Sequence, residues 1–130
     1  MEQNKELIEK YSVVIAEFMG YEFIDESIGY DNYGWWIKDK YHKEINALRN
    51  PYFLCMSNNG LKYHSSWDWL MPVVEKIESL NYEFIIFRTT ANINRGESQE
   101  FPYYQGETKK EAAYKAVVEF IKWYNQNKQK

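Results

Sequence analysis

From Lys5 to Met19 the apolar residues Leu7, Ile8, Tyr11, Val14, Ile15 and Phe18 return at intervals of three and four, with Glu6, Glu9, Lys10 and Glu17 between them. That spacing predicts an amphipathic helix. Gly20 then supplies a residue that readily takes the left-handed conformation closing a helix. Tyr21-Glu22-Phe23-Ile24 alternates as a short strand, a turn-rich stretch runs from Asp25 to Asn32, and Tyr33 to Lys38 reads as a second strand. Between Asp39 and Pro51 the spacing of Tyr41, Ile45 and Leu48 is helical but short, and Asn50-Pro51 breaks it. Tyr52 to Met56 reads as a buried strand, Ser57 to Gly60 as a turn, and Leu61-Lys62-Tyr63 as renewed extended chain.

The second half carries stronger signals. Ser65 and Asp68 stand three apart, as in a capping box, ahead of a helix that would place Trp67, Leu70, Met71, Val74 and Ile77 on one face. Pro72 lacks an N–H and collides with the preceding turn, so the regular part is expected to start there and run to Leu80. Tyr82 to Thr90 is dense in aromatic and β-branched residues on both alternating faces, which predicts a strand covered on both sides. A hairpin through Asn94-Arg95-Gly96 would return as Glu100 to Tyr104, with Pro102 favouring an edge. Thr108 and Glu111 form a second capping box, followed by the stripe Ala113, Ala116, Val117, Phe120, Ile121 and Tyr124. These elements predict one α+β domain over 1–130, an antiparallel sheet with packed amphipathic helices in a layered α-β-α sandwich, interrupted by an insertion at 25–55.

Three segments resemble one family. Ile15 to Tyr21 at the first helix end, Tyr63 to Ile77 in the middle and Glu111 to Asn125 at the end are similar, in order and spacing, to small phage and prophage proteins of the phage α-β-α sandwich domain and to uncharacterised Bacteroidetes proteins. The resemblance spans nearly the whole chain, apart from Asp25 to Cys55. It implies a fold and a phage or mobile-element context, and it carries no catalytic residues with it.

Composition narrows the function classes. Aromatic residues form 18% of the chain, so a small core can still bury much surface. A net charge of -3 gives no general attraction to nucleic acid or anionic membrane. The lone Cys55 makes no internal disulfide and points to a reducing, cytoplasmic setting. No leader-like segment and no apolar run of about eighteen residues is present, so neither export nor a membrane-spanning helix is expected.

Candidate chemistry is sparse. His64, beside Ser65, Ser66 and Asp68, places a base and a carboxylate at a helix start, the basis for a small hydrolase or nucleotide-handling reading; capping explains the same residues without catalysis. Trp35 and Trp36 must point to opposite faces of their strand, so one of them would join Tyr30 and Tyr33 on an exposed stacking platform unless both faces are covered. Tyr63 and Trp69 extend the candidate binding surface. The segment Gly106 to Ala113, with Lys109 and Lys110, resembles the start of the last helix of double-stranded RNA-binding domains, and with Lys115 it gives a nucleic-acid-binding alternative, but Glu107 and Glu111 offset the two lysines and nucleic acid is disfavoured as a partner. His42 and His64 are far apart, and neither His-x3-His nor Cys-x2-Cys occurs, so no metal and no cofactor is expected. The reading that best fits is a non-enzymatic binding or accessory protein acting through protein or small-ligand contacts, with strand edges compatible with a homodimer.

Overall fold

A computed structural model describes residues 2–24, 34–40, 51–94 and 102–127. Tyr30 and Tyr33, most of the expected insertion and the 95–101 connection lie outside the described residues. The fold is α+β, and its described strands form two antiparallel three-stranded sheets rather than a single one. Each sheet belongs to one of two compact units, Met1–Leu61 and Lys62–Lys130.

The first unit opens with helix α1 (Glu2–Phe18). Its buried side chains Ser12, Ile15, Ala16 and Phe18 follow the three-four spacing of an apolar stripe. Gly20 closes the helix at φ 95°, as its lack of a Cβ allows. Strands β1 (Tyr21–Ile24), β2 (Gly34–Ile37) and β3 (Phe53–Cys55) pair in that order, and a 3-10 turn, Asn58–Gly60, follows. Phe23 stands opposite Trp35 on β1 and β2, and Phe53 opposite Trp36 on β2 and β3, with a shift of register between the two tryptophans. Gly34, at φ 138°, is where β3 passes closest to β2: a Cβ there would run into the Cys55 carbonyl and lie 2.8 Å from Met56 Cα.

The second unit holds α2 (Trp67–Ser79), β4 (Glu83–Phe87), β5 (Thr90–Asn94), β6 (Tyr104–Gln105) and α3 (Lys109–Asn127). Both helices pack on the sheet and on each other, α3 mainly over β5 and β6, α2 over β4. Leu70, Val73, Val74 and Ile77 of α2, Phe84 and Ile93 of the strands, and Val117, Val118, Phe120 and Ile121 of α3 are its large buried aliphatic and Phe side chains. The capping residue of α3 is the expected one, since Thr108 Oγ1 accepts a hydrogen bond from Glu111 N at 3.0 Å.

Several expectations are corrected here. Helix α2 starts at Trp67 and runs through Pro72, whose ring has no N–H to donate to the Asp68 carbonyl. Its N-cap is Ser66, without a side-chain cap bond, so the Ser65–Asp68 capping box does not form. The buried face is Leu70, Val73, Val74 and Ile77, whereas Met71 is exposed. No strand forms at Leu61–Tyr63; Ser65 N and Ser66 N bond back to Lys62 O, turning the chain into α2. The long strand of 82–90 is two: a turn at Arg88-Thr89, with Arg88 at φ 54°, sends the chain back as β5. The return strand expected over Glu100 to Tyr104 is found at Tyr104–Gln105; Pro102 and Tyr103 precede it, and 100–101 lie outside the described residues.

Candidate functional site

The turn that leads into α2 brings His64 against α3. Its ring meets the Tyr114 ring edge-on, 6.3 Å between centroids. Burial lowers the imidazole pKa below its ordinary value, and the charges of Lys62 and then Lys110 lower it further. The neutral ring is therefore favoured, and its Nδ1 is buried without a hydrogen-bond partner. Asp68 is exposed on the first turn of α2, and no hydrogen bond or ion pair joins it to His64. A base paired with a carboxylate needs hydrogen-bond reach, so these two residues do not make an acid-base pair in this arrangement.

The tryptophan platform is likewise corrected. Trp35 is 2% and Trp36 0% exposed. Each ring has its own aromatic neighbour: Phe23 meets Trp35 edge-on at 5.4 Å and Phe53 meets Trp36 at 5.2 Å. Trp35 Nε1–H donates to Asn58 Oδ1 at 2.9 Å, which satisfies its one polar atom. Neither ring is left to stack on a ligand. Tyr63 is buried, and half-buried Trp69 packs edge-on to it at 5.2 Å, which makes this pair part of the scaffold at the start of α2. Cys55 is half-buried, its thiol directed at Ser57 O, and burial together with Cys55 raises the pKa of Tyr21.

Of the three lysines, two are turned toward the protein's own backbone. Lys110 Nζ donates to Ser65 O at 3.0 Å, tying the start of α3 to the turn before α2. Lys115 Nζ donates to Gln105 O at 2.9 Å and pairs with Glu111 at 3.2 Å. Lys109 is exposed. A phosphate-binding row needs several cations free to reach outward, and this helix start offers fewer than its sequence implies. Among the described residues no group of three His, Cys, Asp or Glu side chains is placed to hold a metal ion, and no helix is long and apolar enough to cross a membrane.

The exposed apolar residues lie elsewhere. On the second sheet Phe84 and Ile93 stand opposite each other on the face that carries α2 and α3, as do Ile86 and Ala91. The alternate residues Glu83, Ile85 and Phe87 point the other way. Phe87 is 63% exposed and Ile85 38%, so this face is open along β4, whereas on β5 Asn92 of the same face is 1% exposed and therefore covered. Ile85 pairs with Asn92, and the register of β5 with β6, extended by one residue, places Tyr103 beyond Asn92 on the same face, 69% exposed. Asn92 between them is buried and donates from Nδ2 to Pro102 O at 3.3 Å. Arg88 lays its guanidinium over Phe87, 5.3 Å from the ring centroid. The sequence hides this face because Phe84-Ile85-Ile86-Phe87 is apolar at every position; Glu83 and Arg88 at its two ends are the only polar signal that one side meets water.

Comparison with protein-family models, with curated proteins and with solved structures finds no match for this chain.

Proposed function

We propose that the chain is a binding or accessory module that works through a protein contact made by the open face of its second sheet. The observation that carries this reading is the exposure of Phe87 and Tyr103, at 63% and 69%, beside Ile85 on one face. Large aromatic side chains left together in water are costly, and contiguous exposed apolar patches mark interaction sites. A non-catalytic role is favoured by the lack of any hydrogen bond or ion pair between His64 and Asp68. The phage or mobile-element setting rests on the family resemblance of the three sequence segments, and a cytoplasmic setting on the single cysteine.

The test is site-specific photocrosslinking in cells that express the protein, with a benzophenone amino acid at Phe87, at Tyr103 and, as a control away from the sheet, at exposed Met71. The expected result is a discrete adduct to a second protein from Phe87 and Tyr103 and none from Met71. The adduct from Tyr103 should vanish when Phe87→Asp is introduced into a chain that keeps its native circular dichroism. Equal labelling from all three positions would overturn the reading, as would adduct formation indifferent to Phe87→Asp.

A further inference from the structure

We infer that a second copy of this chain pairs with the outer edge of β4, joining two three-stranded sheets into one of six strands across a two-fold axis at Ile85. Among the described residues, strand β4 is bonded on one side only, to β5, and is the longest edge strand. The opposite edge of the same sheet, β6, is two residues long and offers little to pair with.

The backbone fixes which groups point outward. Gly106 N donates to Thr89 O at 3.0 Å, so Thr89 directs its backbone toward β6. Its neighbour Thr90 therefore directs its own toward β4, and Thr90 and Phe87 close the hairpin as a hydrogen-bonded pair. Alternation then turns the N–H and C=O of Glu83, Ile85 and Phe87 to β5, and those of Phe84 and Ile86 to the free edge. In an antiparallel pairing of β4 with its own copy, Phe84 of each chain exchanges hydrogen bonds with Ile86 of the other. Ile85 meets Ile85 as the close, non-hydrogen-bonded pair at the axis.

That register is self-complementary in charge. It sets Glu83 of one chain opposite Phe87 of the other, and the guanidinium of Arg88 lies over the Phe87 ring. Each Glu83 thus meets an Arg88 across the seam, twice by symmetry, and among the described residues neither has an ion-pair partner in its own chain. Slipping the strands by two residues moves both carboxylates away from both guanidinia. The edge has neither an inward charge nor a proline, features by which isolated strands avoid such pairing. This pairing stands whether or not the open face engages another protein, and it would place two copies of that face side by side.

Sedimentation velocity over a concentration series, with the full chain, reads the assembly directly. A reversible dimer is expected for the wild type. Glu83→Arg and Arg88→Glu should each raise the dissociation constant by about tenfold or more, because each sets like charges opposite at two places, and the two together should restore it. In a Cys55→Ser background, Ile85→Cys should form a covalent dimer under mild oxidation, since non-hydrogen-bonded partners bring their Cβ atoms close. Phe87→Cys should not, as its twin lies four residues away along the seam. A wild-type chain that stays monomeric up to millimolar concentration would overturn the inference, and so would a dimer indifferent to both charge reversals or one that crosslinks equally at 87. Circular dichroism of each variant separates loss of pairing from loss of fold, and the photocrosslinking to a second protein described above tests the open face separately.

Discussion

His64 links local packing to a measurable property of the whole chain. Burial against Tyr114 and the nearby charges of Lys62 and Lys110 all disfavour the imidazolium in the folded state. The unfolded chain therefore binds this proton more readily, and stability rises with pH through the window between the lowered folded value and the ordinary 6.5. Above 6.5 the contribution is complete; below it the contribution is lost as pH falls toward the folded value. His64→Gln should remove this part of the acid sensitivity, so the melting-temperature gap between wild type and variant should change between about pH 7.5 and pH 5. A gap constant over that range would refute the argument. Phe120 tests packing instead: it is fully buried among Tyr82 at 4.8 Å, Tyr124 at 5.8 Å and Trp123 at 5.9 Å between centroids. Phe120→Ala should cost about 3–5 kcal/mol in urea unfolding, through lost burial and the cavity left behind. At this scale the sequence was legible where a residue's role is local. Thr108 announces its cap, because capping needs only a hydroxyl three residues before an N–H. Trp35 and Trp36 do not announce their burial, because Phe23 and Phe53 reach them only through strand pairing.

Among the elements, the helices were legible in outline and the second sheet was not. A stripe at three-four spacing identifies α1 and α3 without knowledge of neighbours, whereas the break between β4 and β5 depends on Arg88, a residue with no intrinsic preference for the φ of 54° it adopts. The turn is imposed by the pairing of Phe84 with Ile93 and Ile86 with Ala91 on the helix-covered face. Two glycines separate conformational from steric demands. At Gly20, φ 95° with open space around it, alanine should cost only the strain of the left-handed backbone, about 1–2 kcal/mol. At Gly34, at φ 138°, backbone strain is joined by collision with β3 backbone, which cannot move without breaking the pairs Trp35↔Cys55 and Trp36↔Phe53. Gly34→Ala should therefore destabilise clearly more than Gly20→Ala in paired thermal melts. It should also red-shift tryptophan emission as Trp35 and Trp36 meet water. Equal melting shifts for the two variants would show that β3 yields without cost.

For the whole molecule, the informative fact is that each compact unit has its own sheet. A strand order cannot be read from spacing, so the sequence pattern suggests one sheet where hydrogen bonding makes two. The Lys62–Lys130 unit has the parts of a self-sufficient layer structure: α2 and α3 on one face of β4-β5-β6, and buried side chains from all three kinds of contact, helix to helix, helix to strand and strand to strand. Its boundaries are also tied internally, through Lys110 to Ser65 O at the N-terminal turn and Thr108 at the start of α3. A chain of this size sits near the lower limit at which a single core offsets conformational entropy, but Tyr82, Phe84, Tyr114 and Phe120 give it large buried rings. Residues 62–130 alone should therefore fold, with helical circular dichroism, dispersed amide NMR resonances and a cooperative melt that Phe120→Ala abolishes or sharply lowers. A fragment with random-coil dispersion would show instead that the second sheet needs the first 61 residues, and that the chain folds as one cooperative domain.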